Sequence, residues 1–183
     1  MLASSVSAQT NELTNAEKMT PFAVGMSLSV LGEMYDENYQ NALSEYQKNI
    51  RYYSAELKPV VELKENASSY DRLDVAQAAT KSLRAKSSKS DRWQMLIGEQ
   101  FGVIYVQIKK NKADGDEINV DDLKFSLELI ATLAANAPED IPEDIVKQFK
   151  KVGALKDNND LASDEGIEKI TDEVIKTLRV ISD

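Results

Sequence analysis

RWQMLIGEQFGVIYVQIKK, Arg92 to Lys110, is the stretch on which the fold turns. Trp93, Met95, Leu96, Ile97, Phe101, Val103, Ile104, Tyr105, Val106 and Ile108 put apolar side chains on nearly every side of a helix. That pattern predicts a central helix packed on several faces. Val103 to Ile108 alone also fits a buried strand. The whole stretch is too long for one strand and no second run of its kind occurs, so helix is the reading.

Upstream, Thr20-Pro21 reads as a cap followed by a first-turn proline. From there Val24, Leu28, Leu31, Tyr35, Tyr39, Ala42, Tyr46, Ile50, Tyr53 and Leu57 recur in steps of three or four, one face of an α-helix. Unbroken from Pro21 to Lys58, that helix would run about 57 Å. Pro59 bends or ends it. Ser69 is expected to cap a second helix through Leu83, and Asp91 to cap the central one. Asn119 or Asp121 starts a helix ending at Ala137-Pro138. A short helix then carries Ile145 to Val152, and Ser163 caps a last one with Ile167, Ile170, Val174, Leu178 and Ile181. The sum is an all-α chain, an antiparallel bundle of about five or six helices over residues 20–183.

With 183 residues the chain can bury a core without staples. Its 42% hydrophobic and 29% charged residues are ordinary globular composition rather than that of a disordered chain. It contains no Cys and no His. Disulfides, thiolate nucleophiles, Cys- or His-held metals and imidazole general bases are thereby excluded. No phosphate loop, nucleophile elbow or dinucleotide fingerprint occurs. No cofactor and no metal are expected.

The net charge of −9 is uneven. Residues 1–111 carry 13 acids and 13 bases, and residues 112–183 carry 18 acids against 9 bases. Such a chain repels phosphate backbones, so nucleic acid is not expected as a partner. Lys81, Arg84, Lys86, Lys89 and Arg92 read as a solvated basic loop. Lys112 to Leu123 has the oxygen-rich look of a calcium loop. Setting Gly115 at the sixth position puts Lys110 and Lys112 where the first and third ligands belong, so it reads as a turn before a helix. No run reaches the length of a membrane span.

Residues 1–19 read as a flexible tail. Ser-Val-Ser-Ala-Gln, with small residues at Val6 and Ala8, is like the end of a secretory signal cleaved between Ala8 and Gln9, so export is expected.

Two groups of residues could form a site. Tyr35, Tyr39, Tyr46 and Tyr53 share the first stripe, where they form either core or an aromatic groove for a ligand or partner helix. Gly98 and Gly102 lie four apart and let another helix come close, with Gly25 and Gly32 as candidates opposite. Glu99 between them is either a solvent-facing edge or a buried carboxyl with a raised pKa. The leading expectation is an exported, non-enzymatic module that binds a protein partner or itself. A carrier of a small apolar molecule near Gly98, Gly102 and the tyrosines is second, and an enzyme built on carboxylates and Tyr is third.

Overall fold

Ten of the fourteen positions of Thr20–Glu33 show why this segment must sit at the centre: Pro21, Phe22, Val24, Gly25, Met26, Ser27, Leu28, Val30, Leu31 and Gly32 are all buried. A helix apolar all round has no face to offer water. The computed structural model describes residues 13–49, 53–115, 117–158 and 160–182. The proposed cleavage point after Ala8, together with Ile50, Asp116 and Asn159, lies outside them.

The described residues form α-helices and one 3-10 turn, with no strand. They are α1 (Asn15–Lys18), α2 (Thr20–Glu33), α3 (Glu37–Asn49), α4 (Ser54–Val61), α5 (Ser69–Lys86), α6 (Lys89–Asp114), α7 (Val120–Ala135), α8 (Glu143–Ala154) and α9 (Asp164–Ser182), with the 3-10 turn at Leu155–Asp157. The count exceeds five or six because the expected long N-terminal helix is not one rod. It stops at Glu33, where Met34 turns extended at φ −151 and ψ 150. It restarts behind Asp36, whose Oδ1 accepts the Asn38 N–H at 3.0 Å. Such a side-chain bond offers the backbone an alternative to continuing the helix.

Other boundaries move for similar reasons. Thr20 lies inside the first turn of α2, its hydroxyl donating to the Glu17 carbonyl at 3.0 Å. Ser68 caps α5 through the Asp71 N–H, and Ser88 rather than Asp91 caps α6. The basic stretch is therefore helical, not a loop. Asn119 caps α7, accepting from Asp121 and Asp122, and Ser163 accepts from Gly166 ahead of α9. Part of the expected tail is docked: Thr14 and Glu17 form a capping box, Met19 is fully buried, and Asn15 Nδ2 donates to the Val180 carbonyl at 3.2 Å.

The central helix expected at 92–110 is there, but it shares the centre with α2. Their contact is the most extensive in the chain. The two run parallel: Gly25 faces Met95, Gly102 faces Ser29, and Glu33 pairs with Lys110 at 3.6 Å. Antiparallel order holds for α6 and α7, where Trp93 Nε1 donates to the Leu133 carbonyl at 2.9 Å. The α2 helix separates two apolar clusters. One gathers Phe22, Trp93, Phe101 and Phe149 with α7, α8 and α9. The other gathers Leu28, Leu31, Leu43, Leu57 and Leu83 from α2 to α5.

Candidate functional site

Tyr39 opens the site because of where α3 begins. Asp36, buried just ahead of that helix, accepts from Lys109 Nζ at 2.5 Å and from the Tyr105 hydroxyl at 3.3 Å. Burial alone would raise the Asp36 pKa, but the Lys109 hydrogen bond and charge, the Asn38 N–H and Tyr105 together hold it below the usual carboxylate value. These bonds fix the first turn of α3 against the last turns of α6. Tyr39 then meets Tyr105 edge-on, with ring centroids 5.2 Å apart, and Lys109 Nζ lies 5.5 Å from the Tyr105 centroid.

Between these rings and α9 lies a groove of about 530 Å³, open to solvent on one side. Its walls are Tyr39, Tyr105, Ile108, Val174, Ile175 and Leu178, with Lys109 and Lys112 at the α6 edge. Ile175 is 42% exposed there. A second cleft of about 220 Å³ continues it, sharing Tyr39 and Leu178 and adding Met26, Tyr46 and Ile181. Burial, with Tyr105 and Asp36 close by, raises the Tyr39 pKa far above its ordinary value, and burial raises that of Tyr46. Both hydroxyls stay protonated near neutral pH.

The tyrosine stripe is therefore split. Tyr39 and Tyr46 share a groove. Tyr35 donates to Gln40 Oε1 at 2.9 Å, and Gln40 in turn donates to the Val61 and Leu63 carbonyls, tying α3 to the end of α4. Tyr53 is buried in the second apolar cluster. The break at Met34–Asp36 rotates α3 relative to α2, so even spacing in sequence does not give one continuous face.

Gly98 and Gly102 hold α2 against α6. A Cβ on Gly98 would collide with the Phe22 carbonyl, and one on Gly102 would lie 2.8 Å from the Met26 carbonyl oxygen. The space at the glycines themselves is filled by α2. Gly25 does oppose this surface, but Gly32 faces Ala76 and Leu73 of α5.

Glu99 points away from that contact, toward α5. It is not a solvent-facing edge: its side chain is 19% exposed, and Oε2 accepts from Arg84 Nη2. Burial raises its pKa to about 7, with Arg84 pulling the other way. Glu99 and Arg84 line a separate mixed cleft of about 440 Å³ between α2, α5 and α6.

Sequence reading missed Asp36, Tyr105, Lys109 and Lys112 as site residues. Tyr105 and Lys109 stand four apart on α6, a spacing that signals a shared face. Nothing local signals that Asp36 meets them. The loop after α6 begins with Gly115 at φ 70, a left-handed helix cap. Among the described residues no three acids gather in a way that could hold a metal, and no helix is long and apolar enough to cross a membrane. No protein-family model matches the chain, and no curated protein and no solved structure is detectably similar to it.

Proposed function

We propose that this protein is a non-enzymatic interaction module whose Tyr39 groove receives an acidic amphipathic helix, supplied by a second copy of the chain. The observation that carries the reading is the open apolar groove with cations on one edge. Along α9 it extends from Thr171 to Ser182, about 16 Å or three helical turns. A small apolar ligand would stay half solvated in an open groove, whereas a helix laid along it brings its own cover.

The chain carries a helix of matching chemistry. Phe125 on α7 is 63% exposed, and Asp121 and Asp122, four and three residues before it on the same side, belong to the first turn. Placed in the groove, Phe125 meets the Tyr39 and Leu178 walls while the two acids meet Lys109 and Lys112. Lys112 is exposed at the end of the groove and makes no ion pair with a described carboxylate. A helical bundle built on α2 and α6 gives this surface a rigid support. Binding rather than catalysis is favoured because the two groups with the most raised pKa values, Tyr39 and Glu99, line different clefts. Export of the chain, read from Val6 and Ala8, is part of the same proposal. Sequencing the N-terminus of protein recovered outside expressing cells tests it.

The groove is tested by sedimentation and light scattering over a concentration series. The wild-type mass rises with concentration and less so in high salt. Ile175→Glu and Phe125→Glu are each monomeric, yet mixed together they form a dimer, because each retains the surface the other has lost. A wild-type chain that stays monomeric at millimolar concentration overturns the reading.

A further inference from the structure

Helices α5 and α6 both pack on α2 but hardly touch each other. The space between them is the cleft of about 440 Å³ that Glu99 lines, distinct from the Tyr39 groove. Its floor is short and apolar, with Leu28, Ala76 and Val103, and Ser29 and Thr80 set hydroxyls beside it. Such a lining orients a small molecule by a few polar groups over an apolar base.

The charges in the cleft are unusual for this chain. Lys81 and Arg84 come from α5, Glu33 from α2 and Glu99 from α6. Two cations face two carboxylates in the lining, and the pairing of Glu33 with Lys110, which lies outside it, leaves Lys81 and Arg84 against Glu99. Lys81 makes no ion pair with a described carboxylate. Arg84 and Glu99 are joined by one hydrogen bond where a guanidinium and a carboxylate can make two, and Arg84 Nε and Glu99 Oε1 are both buried without a partner. A buried ion pair so incompletely bonded recovers little of its desolvation cost.

We propose that this cleft binds a small organic carboxylate with a short aliphatic chain, and that Glu99 holds the place on Arg84 that the ligand's carboxylate takes. The incoming carboxylate pairs with Arg84 and Lys81, and its chain lies on Leu28, Ala76 and Val103. Glu99, separated from its cation, takes up a proton from solvent and donates a hydrogen bond in the site. Burial has already raised its pKa to about 7, so this uptake is cheap near neutral pH.

Calorimetric titration of the full chain with hexanoate near neutral pH tests this, with hexanamide as the uncharged comparison. Hexanoate is expected to saturate in the millimolar range, with a heat that varies with buffer ionisation enthalpy because protons are taken up, and hexanamide not to bind. Arg84→Gln weakens binding about tenfold. Lys81→Gln, an exposed change that leaves the fold intact, weakens it several-fold and carries the test if Arg84→Gln fails to fold by circular dichroism. Glu99→Gln tightens binding and abolishes proton uptake, whereas a merely structural Glu99 would give no gain. Absence of saturation in the wild type, or Glu99→Gln binding no tighter, overturns the proposal. So does loss of hexanoate binding in Ile175→Glu, which would place the molecule in the Tyr39 groove instead.

Discussion

Lys109 Nζ lies 2.5 Å from Asp36 Oδ2, joining positions 73 residues apart in the chain. The carboxylate is almost wholly buried while the ammonium keeps part of its exposure. This one pair sets the start of α3 against the end of α6 and so fixes the Tyr39 wall of the groove. Both partners also bond to Tyr105 or lie over its ring, which makes the three side chains a unit.

Replacing Asp36 with Asn removes the pair and leaves its buried neighbours poorly satisfied. The expected loss is about 1–3 kcal/mol of stability, read as a lower urea midpoint. The folded-state pKa of Asp36 is lowered, so its contribution is fully present above the ordinary carboxylate pKa of 3.8 and fades as pH falls through the lower folded value. The wild type and Asp36→Asn therefore converge in stability in strong acid.

Glu99 has the opposite sign. Its folded pKa of about 7 exceeds the ordinary 4.5, so between these values the folded state binds the extra proton. Stability falls as pH rises across that window, by at most about 3 kcal/mol, and is flat in this term above it. Urea midpoints over the window should decline for the wild type and decline less for Glu99→Gln.

The two glycine contacts separate by cost. Gly98→Ala drives a Cβ into the Phe22 carbonyl and is expected to lose about 1–3 kcal/mol or to move α2. Gly32→Ala meets the Ala76 Cβ tightly at 3.3 Å and Leu73 at ordinary contact distance, and should cost much less than Gly98→Ala. Thermal unfolding followed by the fluorescence of Trp93, the single tryptophan, reads both.

Charge reversal tests the groove's polarity. Lys112→Glu should weaken self-association, and Asp122→Lys on the opposing surface should restore it, each measured by sedimentation. Recovery in the doubly reversed chain identifies contact between the two positions; its absence places the acidic turn elsewhere.

Helical character was legible because it rests on local spacing. The stripe at Ile167, Ile170, Val174, Leu178 and Ile181 gave α9 correctly, and Ser163 gave its start. The apolar run from Trp93 to Ile108 gave α6. The break at Met34 was hidden because Leu31, Tyr35 and Tyr39 keep helical spacing across it, while the side-chain cap that ends the register involves only Asp36 and Asn38. Which core helix is more enclosed was also hidden. Gly25 and Ser27 of α2 are both buried, Gly25 directly against the Met95 backbone of α6. For the candidate site, Tyr39 and Tyr46 were legible as aromatic positions on a helix. Their sorting from Tyr35 and Tyr53, and the partners Asp36, Lys109 and Arg84, depend on packing between distant segments that no local pattern encodes.

The parallel pairing of α2 with α6 has a consequence for how the chain reaches its native state. Phe22 meets Gly98 across the excursion of α3, α4 and α5, which leaves the central pair and returns to it. During synthesis α2 leaves the ribosome before α6, so its α6-facing surface waits for its partner. Contacts of such sequence separation slow folding, because the loop must close before the interface forms. Without α6, the segments that precede it leave that surface of α2 uncovered, and the arrival of α6 ends the exposure.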